Sequence, residues 1–158
     1  MVESDVRIVE LEPMRVATFL GFGTEPEIQG YKKLEQWAKK RGFLDNPKEH
    51  RIFGFNNPDP SPGSPNYGYE LWIKIDPLTE VEPDIRTLDF PGGLYAVIRC
   101  PVHGDPYKVI PEKWGELVAW MENNPYQLGT HQCLEEHIDV IDHEGSEFTL
   151  DLYLPISK

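Results

Sequence analysis

A central β-strand is predicted for the stretch Tyr67-Gly68-Tyr69-Glu70-Leu71-Trp72-Ile73-Lys74-Ile75. Apolar residues alternate there with Glu70, Trp72 and Lys74, and this period of two sends successive side chains to opposite faces of a sheet. One face is therefore expected to be core. The other places a carboxylate beside a large aromatic ring, which is typical either of a half-exposed sheet or of the floor of a site for a flat cation.

The same alternation returns near the C-terminus, in Thr149–Ile156. Asp151 stands there in place of Glu70, and Tyr153 stands in place of Trp72. Three further segments recur in the same order, about half a chain apart: Val6–Leu11 as Ile85–Phe90, Val16–Phe19 as Tyr95–Ile98, and a helix with Leu34 and Trp37 as one with Leu117 and Trp120. Four matches in one order indicate an internal duplication. We therefore predict a single domain, 1–158, with pseudo-repeats 1–78 and 84–158.

The fold class predicted from this duplication is α+β. Each repeat supplies a strand-helix-strand-strand unit, which gives two antiparallel sheets with a helix on one face of each. A groove is expected on the pseudo-two-fold axis between the two sheets, and such grooves commonly hold ligands.

Local signals predict where the two helices begin and end. Thr24 and Glu27 are spaced as a capping box for the first helix, and Gly42 is placed to end it in the left-handed conformation. The second helix is expected to start after Pro111 and to end at Asn123. Both helices carry an apolar stripe, which is expected to face the core.

Other segments are predicted from their apolar and proline content. Val6–Leu11 and Arg15–Leu20 are two strands joined at a proline, which is typical of a hairpin or of one bent strand. The proline-rich segment 56–66 is expected to be an irregular loop that borders the groove. Trp37 and Trp120 lie in the apolar stripes and are expected to be core residues.

Composition and charge exclude several function classes. The chain has 158 residues and a formal net charge of −12, so direct binding to DNA or RNA, which needs clustered Lys and Arg, is not expected. No apolar run approaches the roughly 18 residues of a membrane helix, the N-terminus is acidic, and only two cysteines occur. These features predict a cytoplasmic protein that does not bind membranes. The expected partner is a cationic or aromatic small molecule, with a basic protein surface as a further option.

A metal site is a weaker alternative. Cys100, His103, His131 and Cys133 would supply two sulfurs and two imidazoles, as in tetrahedral zinc sites, but neither pair has a Cys-x-x-Cys turn. We therefore predict no metal. Gly21-Phe22-Gly23-Thr24 lacks the residues that complete a phosphate-binding loop, and no cofactor is expected.

Several segments in order resemble a known family: Phe55-Asn56-Asn57-Pro58, Tyr67–Ile73, Pro91–Val97, a helix with tryptophan, and Leu134–His137. They are similar to the gyrase-inhibitor-like effector-binding domain, which also occurs in multidrug-responsive transcription activators. The resemblance covers nearly the whole chain and implies a duplicated fold with a ligand groove between the halves. It leaves no residues for a DNA-binding domain, so a transcription factor in its own right is not expected.

The resemblance also implies a principal site residue. In that family a glutamate on the next-to-last strand meets cationic ligands, and Glu135 occupies that position, although Leu134 and His137 replace the flanking aromatic residue and tyrosine. If Leu134 and Ile138 face the helix and core, Glu135 and His137 face the groove. Burial would then raise the pKa of Glu135, or a hydroxyl or imidazole would bond it, with Tyr153, Tyr95 and His137 as first candidates.

The remaining candidates come from strand phase and aromatic character. Two pairs are expected on corresponding faces of the last strand of each half: Glu70 with Trp72, and Asp151 with Tyr153. Each face is compatible with a pocket or with a solvated surface. Trp114, near the start of its helix, is placed to edge the groove. The predicted ligand-binding residues are Glu135, His137, Trp72, Glu70, Tyr153, Tyr95 and Trp114.

Three functions follow as hypotheses. The favoured one is a stand-alone protein that binds amphipathic or cationic aromatic compounds. The second is a cofactor-free hydrolase of strained alkylating natural products, with Glu135 as acid or base, since some members of the resembled family look like hydrolases. The third is a protein-interaction module like the gyrase inhibitors, in which an acidic surface meets a basic one. An enzyme is less favoured than a binding protein.

Overall fold

The structure is a computed structural model, and it describes residues 5–57, 61–138 and 147–158. It contains two helices, a short 3-10 turn at Phe43–Asp45, and strands that are numbered in chain order: β1 (Arg7–Leu11), β2 (Met14–Gly23), α1 (Pro26–Lys40), β3 (Ile52–Asn56), β4 (Tyr67–Ile75), β5 (Arg86–Phe90), β6 (Gly93–His103), α2 (Pro106–Glu122), β7 (Gln127–Leu128), β8 (Leu134–His137) and β9 (Glu147–Ser157). None of the described helices is long and apolar enough to span a bilayer.

The chain forms two compact units. The continuous unit is Pro13–Pro91, and the split unit combines the residues up to Glu12 with those from Gly92 onward. In the continuous unit the strand order is β3-β4-β2-β5, and in the split unit it is β1-β6-β9-β8 with β7 also on β9. All of the described pairings within the units are antiparallel. The predicted α+β class, with duplicated strand-helix-strand-strand units, is confirmed.

The first strands of the two repeats are exchanged. β1 pairs with β6, where Leu11 lies opposite Gly93, and β5 pairs with β2, where Phe90 lies opposite Met14. The hairpin interpretation of the first two strands is therefore wrong. The two-residue link between them includes a proline, whose φ is fixed near −65°, whereas two-residue hairpin turns need positive φ.

Each helix packs on one face of its own sheet. In the split unit Leu117 of α2 is buried in a cluster with Ile98 and Leu152 from the sheet. In the continuous unit Leu34 of α1 is fully buried, and α1 packs on β2 and β4. Because side chains alternate along a strand, each sheet has a second face that is turned away from its helix, called here the helix-free face.

The helix ends only partly agree with the sequence signals. Gly42 follows α1 with φ +72°, as predicted. The capping box is wrong, because Glu25 is the N-cap of α1 and the Glu27 carboxylate instead accepts a hydrogen bond from the Tyr67 hydroxyl at 2.6 Å. The predicted start of α2 after Pro111 is also wrong, since Asp105 caps the helix earlier by accepting from the Tyr107 amide at 3.0 Å.

The proline-rich loop lies between β3 and β4. Residues 61–66 contain no strand or helix, which agrees with the irregular conformation that prolines favour. Residues 58–60 lie outside the described part of the chain. The location of the loop beside a ligand groove stays a prediction.

Candidate functional site

The helix-free face of the continuous unit carries a buried carboxylate. Glu70 on β4 is 6% exposed. Its Oε2 accepts a hydrogen bond from Trp72 Nε1 at 2.7 Å, and its Oε1 accepts one from Asn57 Nδ2 at 3.1 Å. Both donors are neutral, so these bonds satisfy the oxygens without supplying a positive charge.

Aromatic rings surround the same position. The Trp72 ring packs edge to face against Phe55 with the centroids 5.0 Å apart, and it lies 5.3 Å from the ring of Phe90. Strand register explains this arrangement, because Phe55 lies opposite Glu70 and side chains of opposed residues share a face. Glu70 and Trp72 therefore share one face of β4, as their alternation along the strand predicts.

Glu70 lines an open cavity in the continuous unit. The volume of the cavity is about 830 Å³, within the range of ligand pockets. Glu70 and Asn57 line one part of it. The rest of the lining comes from β2, α1 and the segment that enters β5: Thr18, Phe19, Leu20, Lys33, Gln36, Trp37, Lys40, Arg41, Glu82, Asp84, Ile85 and Arg86.

The equivalent carboxylate of the split unit is neutralised. Asp151 on β9 is 3% exposed, and it accepts from Arg99 Nε at 2.9 Å and from Arg7 Nη2 at 2.9 Å. Burial alone would raise the pKa of Asp151, but the hydrogen bonds and charges of Arg99 and Arg7 outweigh it and lower the pKa below its usual value. Asp151 is therefore part of an ion-pair cluster in which two arginines balance its charge.

Substituting Asp151 should reveal this cluster in the pH dependence of stability. Because the folded pKa is lowered, the contribution of Asp151 is present above its unfolded pKa and is lost as the pH falls through the folded value. We expect Asp151→Asn to cost about 1 kcal/mol at pH 7, since both arginines are half exposed and screened, and less at pH 3. Urea denaturation at the two pH values measures this. Asp89→Asn, on the exposed surface of β5, is the charge-matched control and should change neither value.

A second buried acid lies beside Asp151. Glu136 on β8 accepts a hydrogen bond from the Tyr153 hydroxyl at 2.6 Å, and both residues are buried. The Tyr153 ring packs edge to face against Tyr95 at 5.5 Å. Tyr95 donates its hydroxyl to the Gln132 carbonyl at 2.5 Å, and burial raises its pKa. On the helix-free face of the split unit, Tyr153 is thus hydrogen-bonded to Glu136 and packed against the ring of Tyr95.

The predicted phase of β8 is wrong. Glu135 lies opposite Leu152, which belongs to the core under α2, and Trp114 of α2 donates its indole N–H to Glu135 Oε2 at 3.1 Å. His137 shares this face, because it lies opposite Leu150 of the same core. The prediction assumed that Leu134 and Ile138 face the helix, but Leu134 lies opposite Tyr153 on the other face, and Ile138 lies beyond the end of β8.

The predicted site residues therefore form three groups. Glu70 with Trp72 lie on the helix-free face of the continuous unit, and Tyr95 with Tyr153 lie on that of the split unit. The third group is on the helix side of the split unit and contains Glu135, His137 and Trp114. The expected donors Tyr153 and Tyr95 do not serve Glu135, because their hydroxyls bond Glu136 and Gln132.

Glu136 was missed by the sequence analysis. Glu136 is recognised as a residue of the helix-free face of the split unit by its position opposite Asp151. That position is visible from the pairing of β8 with β9 but not from the local sequence pattern. In Leu134–His137 only one residue is apolar, so either phase was compatible with the sequence.

The cysteines and histidines do not form a metal centre in the described ranges 5–57, 61–138 and 147–158, where no group of three or more potential ligand residues occurs. Cys100 is buried under α2, and burial raises its thiol pKa to about 11, whereas Cys133 is exposed. His131 bonds the Leu94 carbonyl through Nε2 at 2.7 Å, and its ring packs against Tyr95. Cys100 and His131 therefore serve packing.

Comparison with known proteins identifies related sequences and structures. Residues 7–156 match the family model described as "Cass2: Integron-associated effector binding protein". No curated protein matches the chain. The chain is similar to the C-terminal domain of EcmrR, with 20% identity, a TM-score of 0.66 and 97% coverage of each chain. In the complex of EcmrR with DNA the identity is 19% and the TM-score 0.67, and 97% of this chain spans 57% of EcmrR.

Two further structures share the architecture. A hydrolase from Listeria innocua is 12% identical with a TM-score of 0.67, covering 97% of this chain and 92% of the hydrolase. SAV2435 bound to tetraphenylphosphonium is 11% identical with a TM-score of 0.54, covering 98% of this chain and 94% of SAV2435. At such identities the likeness shows a shared fold.

Proposed function

This chain belongs to the family of integron-associated effector binding proteins, and from that premise we propose that it binds amphipathic aromatic cations at Glu70 and Trp72. Membership of an effector-binding family supports ligand binding in general. The cationic, aromatic class of ligand and the residues that contact it are our proposal, argued from the charges and rings of the continuous unit.

The observation that carries the proposal is that, among the described residues, no charged side chain hydrogen-bonds or ion-pairs with Glu70. A buried carboxylate is costly unless a positive charge balances it, and Asp151 has two arginines for this purpose. In the described part of the chain, the side-chain hydrogen bonds of Glu70 come from the neutral donors Trp72 and Asn57. A bound cation would complete the pairing, and the low dielectric of a buried site would strengthen the attraction.

The surroundings of Glu70 favour a flat or aromatic cation over a hydrated metal ion. Trp72 packs against Phe55 and Phe90 beside the carboxylate, and Phe19 and Trp37 supply aromatic rings to the cavity lining. A cation on an aromatic face gains about 0.5–2 kcal/mol. The cavity of about 830 Å³ that reaches Glu70 has room for a drug-sized molecule. Phe19, Leu20 and Trp37 add apolar lining, which suits an amphipathic ligand.

A matched pair of ligands tests the class. Tetraphenylphosphonium, the compound seen on SAV2435, is the cation, and triphenylphosphine oxide is a neutral compound with similar rings. We expect the cation to bind roughly 10- to 150-fold more tightly, since both compounds bury rings and only the cation pairs with Glu70. Isothermal titration calorimetry gives both dissociation constants.

Thermal denaturation provides an independent readout. A ligand that binds only the folded protein at ~100 times its Kd stabilises it by about 2.7 kcal/mol, so the cation should raise Tm more than the neutral compound at equal concentration. Equal affinities for the two compounds would contradict the proposed ligand class, and absence of binding by both would contradict the proposal as a whole.

A further inference from the structure

A second carboxylate in the continuous unit, that of Glu82, is held by two side-chain donors. Glu82, from the segment between β4 and β5, accepts a hydrogen bond from Trp37 Nε1 through Oε2 at 2.6 Å and one from Arg41 Nη2 through Oε1 at 2.6 Å. These bonds, with that from Trp37 the larger effect, lower the pKa of Glu82 to about 2. The two donors thus match the two oxygens of one carboxylate.

Packing holds the two donors in position. The Trp37 ring lies 5.5 Å from the rings of both Phe19 and Phe43, and the Arg41 guanidinium lies over the Trp37 ring at 4.8 Å. Donors that are fixed before binding lose little side-chain entropy when a carboxylate arrives. This also explains why Trp37 is only partly buried, contrary to the prediction of a core residue: its N–H points to a polar partner.

The cavity next to these donors, which Glu70 also lines, carries both basic and acidic side chains. Trp37, Arg41 and Glu82 all line it, together with Lys33, Lys40 and Arg86. Since Glu70, Glu82 and Asp84 line the same cavity, the attraction for a carboxylate comes from the two donors themselves, the Trp37 N–H and the Arg41 guanidinium. The aromatic and aliphatic lining near Trp37 would hold the apolar body of such an anion.

We propose that Trp37 and Arg41 form a carboxylate-binding subsite for small aromatic acids, which Glu82 fills as a tethered competitor. The subsite rests on its own donors and does not depend on cation binding at Glu70. A ligand carboxylate takes the position of the Glu82 carboxylate, and the displaced Glu82 side chain, about half exposed already, moves into solvent.

The competition predicts a gain of binding when Glu82 is removed. Because Glu82 is held close to the donors by the short segment before β5, its carboxylate has an effective concentration in the millimolar range at the subsite. Without this competitor, Glu82→Ala should bind 2-naphthoate about tenfold more tightly than the wild type does. Glu80→Ala removes the same charge from the same exposed segment and should leave the affinity unchanged. Adding Arg41→Gln to Glu82→Ala should abolish the gain, because the guanidinium donor is lost.

The readout is the indole N–H resonance of Trp37 in a 15N-labelled protein, assigned by its disappearance in Trp37→Phe. 2-Naphthoate should shift this resonance saturably, whereas 2-naphthamide, which is neutral, should not. The wild-type protein supplies a test that needs no variant, since millimolar 2-naphthoate should displace Glu82 and shift the same resonance. Equal affinities in wild type, Glu80→Ala and Glu82→Ala, or equal responses to acid and amide, would show that Glu82 only fastens its segment and would overturn the proposal.

Discussion

Replacement of Gly21 by alanine is expected to destabilise the protein by about 3 kcal/mol or more, at the upper end of what overpacking costs. An alanine Cβ at this position would lie 2.0 Å from the Pro26 carbonyl oxygen and 2.7 Å from the Gly30 amide nitrogen. Both are backbone atoms of α1, so the clash is relieved only if the helix moves away from β2. Urea denaturation at 25 °C measures the loss.

The chain offers a matched control for this substitution. Gly115 lies in α2, and an added Cβ there meets nothing within 4 Å. Because alanine favours the helix over glycine by about 1 kcal/mol, Gly115→Ala should be neutral or stabilising. If Gly21→Ala were as stable as wild type, the close packing of α1 on β2 would be contradicted.

Glu70→Gln is expected to weaken binding of tetraphenylphosphonium by about 1.5–3 kcal/mol, the size of a charge-assisted contact in a desolvated site. Glutamine keeps the shape of the side chain and one oxygen that can accept from Trp72 Nε1, so the fold should be preserved. Triphenylphosphine oxide should bind both proteins alike, since it makes no charge pairing. Calorimetric titration of the two compounds against the two proteins measures the difference.

Glu135→Gln is the control for this experiment, and it also tests the alternative carboxylate. Glu135 is held by Trp114 on the helix side of the split unit, so we expect its substitution to leave the affinity for the cation unchanged. A loss confined to Glu135→Gln would move the cation site to that side chain, as the family resemblance implies.

Period-two alternation was sufficient to predict much of the fold. In β4 the apolar residues on one face and Glu70 and Trp72 on the other are separated as expected, because a long strand with strict alternation permits a single phase. Gly42 likewise ended α1 where the sequence placed it, since few other residues adopt positive φ. These features depend on local chemistry, which the sequence states directly.

The wrong predictions concern features that are determined by contacts between residues far apart in the sequence. The four residues of β8 do not alternate, so only pairing with β9 shows that Glu136 and not Glu135 joins Tyr153. Trp37 lies in an apolar stripe, yet Glu82 draws its N–H to a partly exposed position. The exchange of β1 and β5 between the units is also a long-range choice that neither strand's own residues encode.

The most direct test of the central claim uses the indole N–H resonances of the four tryptophans, each assigned by substitution with phenylalanine. Trp72 donates to Glu70 and Trp114 donates to Glu135, so each resonance reports on one candidate carboxylate. During titration with tetraphenylphosphonium we predict that the Trp72 resonance shifts and saturates with the calorimetric Kd, while that of Trp114 stays fixed. A saturating shift of Trp114 with an unmoved Trp72 would contradict binding at Glu70.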